Sequence, residues 1–467
     1  MKKATTREER TQQLLTEPVD KLVNALALPS IASMLITNIY NTADTYFVSQ
    51  LGTSASGAVG IIFSLMAIVQ AFAFLIGQGA GNNMSRALGA GNKELAERYV
   101  AVCFFTEFIT GTVLAILALI VMKDLVFWLG ATDTIAPYAA EYARYIVVGF
   151  PFIMSSFGIN NILRFQGNSN LGAIGMMTGG ILNMALDPIC IFTLGMGTKG
   201  AAVATTASQI VSFIILTTLS NRSEAAIKIR LRNFRPTWDM YKKIIHIGLP
   251  SLARQSIMSV STIVFNHCAH PYGDACIAAS SIVNRYVMLL NSVIIGVGQG
   301  FQPVCGTNLG AGRRDRVIGA YYYLVKVSFV LLMIFAVVSF IFARPIVTIF
   351  RKEDEDVIRI GSTFLRLQAL MLPLSTITNS VNMLAQTSGY GVKAAFLSAL
   401  RQGICLMPLV LILPKFMGLL GLQLCQPIAD VISCIITFIF LQQILNEMKA
   451  YMKADGQTVP TFFGTKS

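Results

Sequence analysis

Twelve long apolar segments dominate this chain of 467 residues, of which 54% are hydrophobic and only 13% are charged. A soluble domain usually carries about 25% charged residues, and a helix needs about 20 apolar residues to cross a bilayer. The sequence therefore predicts an all-α integral membrane protein with twelve transmembrane helices. These spans are expected at about 20–46, 57–82, 95–121, 135–160, 171–193, 200–220, 243–268, 276–305, 317–342, 357–386, 392–413 and 420–446.

The net charge of +13 is distributed unevenly between the loops that join these spans. The basic residues concentrate in segments that a twelve-span topology puts on one side of the membrane. On the other side Lys123, Lys199 and Lys415 are nearly alone, and only "FRKEDED" at Phe350–Asp356 is dense, with charges of both signs. Lys and Arg favour cytoplasmic loops, so this pattern predicts a membrane protein with both termini in the cytoplasm. It also argues against a nucleic-acid partner. The basic side comprises Lys2, Lys3, Arg7, Arg10, Arg86, Lys93, Arg98, Arg222, Lys228, Arg230, Arg232, Arg235, Lys242, Lys243, Arg313, Arg314, Arg316, Lys449 and Lys453.

The chain repeats itself at a spacing of 221 residues. The segment "GQGAGNNMSRALGAGNKE" at Gly77–Glu94 aligns without a gap with "GQGFQPVCGTNLGAGRRD" at Gly298–Asp315. Because six spans separate the two basic Gly-Ala-Gly loops, the repeats are parallel and related by a pseudo-two-fold axis along the membrane normal. The sequence thus predicts an N-lobe at 1–220, a basic cytoplasmic linker at 221–243 and a C-lobe at 244–467. Duplication of this kind is typical of transporters, although it can also simply build a large bundle.

Acidic residues within the spans occur asymmetrically in the two repeats. Asp44 aligns with Phe265, and Asp187 aligns with Met407, although the proline after Asp187 is kept. A residue needed only for the shared fold would more often appear in both copies. Charged groups inside a membrane face the bundle interior or water and by default mark ion or substrate pathways.

Polar neighbours make Asp44 and Asp187 candidates for a coupling site. Asn183 precedes Asp187 by four residues and shares its helix face, and Thr205 adds a hydroxyl from the next span. Burial favours the neutral form of a carboxyl group, so such a pair can take up and release protons; its oxygen atoms also suit Na⁺. Alternatively, Asp44 is solvated at the outer end of its span, and Asp187 satisfies backbone groups beside its proline.

Several other charged residues within or near the spans have open roles. For Glu107 a structural and a functional interpretation are equally open. Arg254 and Arg285 either pair structurally or extend to the membrane surface, and Asp430 is expected to serve helix packing. No GxxxxGK[ST] motif occurs, so energy must come from an ion gradient or a partner.

The motifs "LPSIASMLITNIYNTADTYFVSQLG", the twin "GQG…LGAG" loops and "GAAVATTAS" resemble those of the multidrug and toxic compound extrusion (MATE) family over nearly the whole chain. The segment "LNMALDP" resembles the prokaryotic branch related to the DNA-damage-inducible members. This resemblance implies that Asp44, Asp187, Asn183 and Thr205 form the cation site. It further implies that Tyr40 and Asn160 line the same cavity and that the helix can bend at Pro29.

The family resemblance implies export of cationic, amphipathic compounds against inward H⁺ or Na⁺, with no cofactor and no enzymatic activity. We expect a monomer in the lipid bilayer that binds small organic cations. Met and aromatic side chains suit such ligands, which makes Met34, Phe63, Met176 and Met177 candidate cavity residues, although most residues of these types are core or lipid-facing. A flippase for lipid-linked precursors is the alternative function, kept open by Arg254 and Arg285. A membrane-bound enzyme is a third interpretation, and it is disfavoured because the sequence offers neither a nucleophile–base set nor a metal cluster.

Overall fold

A computed structural model describes residues 6–350 and 354–454 of the protein, and helices are its only long regular elements in those ranges. Lys2, Lys3 and residues 455–467 of the predicted C-lobe lie outside the described residues. The first half contains α1 Arg7–Thr16, α2 Val19–Ser49, α3 Thr53–Gly89, α4 Lys93–Ile120, α5 Met122–Trp128, α6 Ala136–Val148, α7 Phe150–Phe165, α8 Ser169–Pro188 and α9 Gly197–Arg222. The second half contains α10 Trp238–Ala269, α11 Asp274–Gly310, α12 Arg314–Ile341, α13 Ala343–Phe350, α14 Glu355–Thr387, α15 Gly391–Ala399 and α16 Met407–Ala454.

The count of membrane-spanning helices differs from the predicted twelve. In the described residues, nine helices are long and apolar enough to cross a membrane, or ten if α6 and α7 form one bent span. The 32-residue helix α10 is not among them, and polar residues are distributed along its whole length. The apolar segment Gly391–Lys453 counts once, although the backbone leaves the helical conformation at Gly418, where φ is 58°. The omission of α10 and the single count for Gly391–Lys453 account for the difference between ten and twelve. The count of twelve stays a prediction.

The span predicted at 135–160 is not one continuous helix. Helices α6 and α7 meet at 50°, and α7 continues to Phe165. Gly149 separates the two helices, and Pro151 follows in the first turn of α7. Proline has no N–H to donate and is best tolerated in a first helical turn, which explains why the chain bends here.

The internal repeat is visible in the lengths and ends of corresponding helices. Helices α3 and α11 each contain 37 residues, and α4 and α12 each contain 28. Helix α3 follows Gly52 with φ of 111°, and α11 follows Gly273 with φ of 84°. These positive φ angles favour glycine, and the two residues are 221 positions apart. The repeat in the sequence therefore corresponds to a repeat of backbone structure.

Buried apolar residues form two large clusters. The first runs from Val48 to Ile244, and the second contains residues from Ala269 to Met452. The second cluster also includes Leu14 of α1 and Leu22 of α2. Helix α2 thus begins against the core of the second half and ends, at Val48, in the core of the first. The division into two lobes that move as units stays a prediction.

The predicted linker is only partly irregular. It contains the 3₁₀ turn Leu231–Asn233, and α10 begins inside it at Trp238. Thr237 caps this helix by accepting a hydrogen bond from the Met240 backbone N–H at 3.3 Å. The Ile227 N–H donates to Gln166 Oε1 at 2.8 Å, which fastens the linker to the chain after α7.

The two halves meet tightly at the ends of α3 and α11 that carry the Gly-Ala-Gly loops. A Cβ on Gly89 would overlap the Thr307 carbonyl oxygen, and a Cβ on Gly310 would overlap the Arg86 carbonyl oxygen. The Arg86 guanidinium also donates from Nε to the Thr387 carbonyl at 3.1 Å. The repeated glycines therefore allow backbone-to-backbone contact that closes this end of the bundle.

Candidate ion-coupling site

The structure brings Asp44 of α2 and Asp187 of α8 together between packed helices. Asp44 is 8% exposed and Asp187 is fully buried. Tyr40, one helical turn before Asp44, contacts Gly180, which lies two turns before Asp187, so the two acids lie on helices that pack against each other. Asp44 therefore does not lie solvated at the end of its helix, which was one alternative drawn from the sequence.

Asn183 and Thr205 complete a polar cluster around Asp187. The Asn183 side chain donates from Nδ2 to Asp187 Oδ1 at 3.1 Å, and the same nitrogen lies 3.3 Å from Thr205 Oγ1. All three side chains are buried. Asp187 is the second-last residue of α8, which ends at Pro188 and is followed by the π-helical turn Ile189–Thr193, so the helix changes geometry just after the acid.

Three oxygen atoms of this cluster have no hydrogen-bond donor. They are Asp44 Oδ1, Asp187 Oδ2 and Asn183 Oδ1, and each is inaccessible to solvent. Buried polar atoms are normally paired, and an unpaired group needs a physical explanation. Two carboxylates and an amide oxygen are suitable ligands for a proton or a hard cation such as Na⁺. These oxygen atoms fit either ion, and Na⁺ would bind here as a transported ion rather than as a permanent part of the protein.

Two tyrosines border the acids, and sequence reasoning missed one of them. Tyr40, one helical turn before Asp44, lies beside Gln209 of α9. Tyr142 of α6 is 1% exposed, lies beside Thr205 and is near both Asp44 and Asp187. In the sequence Tyr142 is one of several tyrosines in "YAAEYARY", and only its packing distinguishes it.

The remaining predicted cavity residues lie farther from the acids. Met34 precedes Asp44 by ten residues, and Met176 precedes Asp187 by eleven, which places both methionines about 15 Å away along their helices. Met176 belongs to the apolar core, and Met177 beside it is partly exposed. Asn160 of α7 donates to the Gly172 carbonyl of α8 at 3.2 Å. Phe63 is 43% exposed on α3.

Pro29 lies inside α2, which runs continuously from Val19 to Ser49. Just beyond it, the backbone of Ile31 approaches Gly296 of α11 so closely that a Cβ on Gly296 would lie 2.8 Å from the Ile31 Cα. Farther along, Tyr40 contacts Gly180 of α8. Pro29 therefore lies in the part of α2 that packs against α11, and the part of α2 that packs against α8 follows it in the chain.

The other acids of the spans have different surroundings. Asp430 forms a two-point ion pair with Arg401, at 2.6 and 3.2 Å, and accepts a hydrogen bond from Gln426. Glu107 is fully buried on α4, and its carboxyl group rests against Gly158 of α7. Within residues 6–350 and 354–454, no three His, Cys, Asp or Glu side chains are grouped to hold a metal ion.

A bundle of long apolar helices around buried acids is typical of a multi-pass membrane transporter. The family profile described as MatE matches residues 29–189 and 250–412. The chain belongs to this family of multidrug and toxic compound extrusion transporters.

Similar proteins span nearly the same length as this chain. A protein described as an FAD transporter from Shewanella oneidensis is 25% identical over 94% of this chain and 97% of its own. The multidrug export protein MepA of Staphylococcus haemolyticus is 24% identical over 92% and 94%. A solved outward-facing multidrug resistance MATE transporter superposes with a TM-score of 0.89 at 28% identity, covering 97% of this chain and 100% of that one.

Proposed function

We propose that this protein is a secondary active exporter of cationic, amphipathic compounds that exchanges them for inward H⁺ or Na⁺ by alternating access. The proposal rests on the three unpaired buried oxygen atoms of Asp44, Asp187 and Asn183. An antiporter needs a group whose charge or ligation changes between the two faces of the membrane. These oxygens can accept a proton or a cation without breaking any hydrogen bond of the described structure.

In this mechanism, ion binding neutralises the cluster. The loss of negative charge removes an attraction for a cationic substrate and lets α2 repack against α8. An inward proton gains about 2.3 kcal/mol per 100 mV of membrane potential. The ion can drive export only if it binds the two facing states with different affinity. Asn183 holds one Asp187 oxygen and leaves the other available.

The contacts between the two halves suggest which face is open. The Gly-Ala-Gly ends of α3 and α11 are closed by contacts from Gly89, Gly310 and Arg86. If the basic loops lie in the cytoplasm, this arrangement corresponds to an outward-facing state of a monomer in the bacterial inner membrane, with both termini cytoplasmic. The two halves would then rock about the site between them.

Ethidium uptake into everted membrane vesicles tests the function, because the cytoplasmic face of such vesicles is outside. Uptake is measured first under an imposed proton gradient and then under an imposed Na⁺ gradient. We expect one gradient to drive uptake and its collapse to release the dye. Vesicles that accumulate no more dye than vesicles without the protein, under either gradient, would contradict the proposal.

A further inference from the structure

Arg98 is a cation of α4 whose hydrogen bonding is incomplete. It lies in the second turn of the helix and is partly exposed. Its Nη2 donates to the backbone carbonyl of Arg235 in the linker at 2.9 Å. Its Nε is buried and has no hydrogen-bond partner in the described residues. An unpaired buried donor is unfavourable, and more so on a charged group, so this guanidinium lacks an acceptor.

The acids around this end of α4 have other partners. Glu97 accepts hydrogen bonds from Arg7 at 2.9 Å and from Asn233 at 3.1 Å. Asp239, in the first turn of α10, pairs with Lys243 at 2.6 Å. Both carboxylates are therefore already engaged with other side chains.

Aromatic and polar contacts hold the linker against α4. The ring of Phe234 lies 5.2 Å from that of Phe105, and the Tyr241 hydroxyl lies 3.0 Å from Thr106 Oγ1. Together with the hydrogen bond from Arg98, these contacts fix the position of the linker on α4.

The fixed linker exposes large apolar side chains beside cations. Leu231 is 69% exposed and Trp238 is 70% exposed. Lys242 Nζ lies 6.0 Å from the centre of the Trp238 ring, and the Arg235 side chain is exposed. None of the ion pairs within residues 6–350 and 354–454 includes Arg98, Arg235 or Lys242. Trp and basic residues concentrate where a membrane meets water, which indicates that this surface faces lipid headgroups.

Aromatic side chains continue from this surface along α4. Phe105 follows Arg98 by seven residues, which places it about 10 Å farther along the helix. Its ring lies 5.1 Å from that of Phe104, which is stacked on Phe213 of α9 at 6.0 Å. The Phe213 ring is 5.3 Å from that of Phe152 of α7. These four phenylalanines are all partly exposed, and they form a continuous apolar surface, the phenylalanine surface, across α4, α7 and α9.

We propose that an anionic phospholipid binds on α4 and the linker, with its phosphate on Arg98 and Arg235 and its acyl chains on the phenylalanine surface. A guanidinium offers N–H donors in a planar fork that matches phosphate oxygens. The unpaired Nε of Arg98 is one such donor, and Arg235 and Lys242 supply further positive charge. A soluble phosphate compound would use the cations and leave the apolar surface uncovered, so the two features together fit a lipid. Binding of this lipid does not rest on the proposed export function.

Trp238 can report the lipid, because the chain has only two tryptophans. Trp128→Phe removes the other, which is 83% exposed on α5. This protein is placed in phosphatidylcholine vesicles in which a fixed share of the lipid has bromine atoms on the upper part of its acyl chains. Quenching of Trp238 fluorescence then compares brominated phosphatidylglycerol with brominated phosphatidylcholine. We expect the anionic lipid to bind at least about fivefold more tightly, the effect of one basic side chain near an anionic surface.

Substitutions of the two arginines test whether they produce this preference. Arg98→Gln and Arg235→Gln should each remove most of it, and Arg98→Lys should retain part. Arg235→Gln also leaves the linker in place, because Arg98 bonds to the backbone carbonyl of Arg235 rather than to its side chain. Lys453→Gln, which removes an exposed charge at the end of α16 in the second half, is the control and should keep the full preference.

Several results would overturn the proposal. Equal quenching by the two lipids, or no quenching by either, would show that no anionic lipid lies beside Trp238. A preference that persists undiminished in both glutamine variants would mean that the arginines do not bind the headgroup. A preference that Lys453→Gln reduces as much as Arg235→Gln would reflect the charge of the whole surface. If glycerol phosphate raises the thermal stability of the protein in phosphatidylcholine and the two lipids quench equally, the cations bind a soluble anion instead.

Discussion

Asn183 donates a hydrogen bond to Asp187 Oδ1 across one turn of α8, at 3.1 Å. The bond orients the carboxyl group so that Oδ1 is held while Oδ2 has no donor. Asp44, on the neighbouring helix α2, has an unpaired Oδ1 of its own. An amide therefore positions one acid, and the two acids share the interior of the first half of the bundle.

Asp44→Asn and Asp187→Asn should each abolish gradient-driven ethidium uptake, because an amide cannot exchange a proton and ligates a cation poorly. The double variant should be little worse than either single variant, since residues that act as a unit are not additive. Uptake per inserted protein in everted vesicles is the measurement. Asp20→Asn, which alters an exposed acid of the same helix α2, should transport at the unaltered rate. Normal pumping by both site variants would mean that the acids are structural.

Pro29→Ala should slow transport several-fold without reducing insertion. A proline inside a helix removes one backbone hydrogen bond and makes bending easier at that point. Pro29 lies where α2 packs on α11, before the helix reaches the acids. The equivalent proline of the second repeat, Pro250 in α10, provides the control, and Pro250→Ala should have a smaller effect. Equal rates for Pro29→Ala and the unaltered protein would argue against bending of α2.

Leu14→Asp should open the closed end of the bundle. Helix α1 connects the halves: Arg7 pairs with Glu97 at 2.9 Å, Asn308 donates to the Leu14 carbonyl at 2.9 Å, and the Leu14 side chain is 1% exposed. Burial of a leucine contributes about 1.5–3 kcal/mol, so a charge there should release α1. Maleimide labelling of the fully buried Cys305, with the seven other cysteines replaced by alanine, should accelerate about tenfold or more.

The control for this measurement is Gln12→Asp, which adds the same charge on the exposed face of α1. It should leave the labelling of Cys305 unchanged. If Leu14→Asp also leaves labelling unchanged in correctly inserted protein, α1 does not hold the halves together.

Arg401→Met should destabilise the fold by about 3 kcal/mol, because it leaves the buried Asp430 without its cation. The pair Arg401→Met with Asp430→Leu removes both charges and should recover most of that loss. Thermal unfolding in detergent compares the three proteins. A double variant no more stable than Arg401→Met alone would show that Asp430 has a role beyond this pair.

Gly158→Ala should lower stability by about 1–3 kcal/mol, since the new Cβ would overlap the Glu107 carboxyl group. Adding Glu107→Ala should relieve the overlap, so the double variant should unfold at a higher temperature than Gly158→Ala. Glu107→Gln has nearly the same shape and should transport at the unaltered rate if Glu107 only fills space. Loss of transport in Glu107→Gln would give this acid a functional role.

Local patterns in the sequence contain much of the architecture. The spans are continuous apolar runs, and the repeat is a direct alignment of residues. The difference between Asp187 and Met407 is a comparison within one chain. Asn183 and Asp187 are four residues apart, so helical periodicity alone predicts their contact, and the structure has it at 3.1 Å. Membership of the family follows from the same motifs.

Contacts between distant residues were decided by the tertiary structure alone. The bend between α6 and α7 at Gly149 divides a segment that the sequence predicts as one span, at 135–160. Tyr142 lies beside Thr205 because α6 packs on α9, and its sequence neighbours gave no sign of this. Periodicity and composition can be read directly from the sequence of one segment. The proximity of groups on different helices depends on how those helices pack, which no short segment specifies.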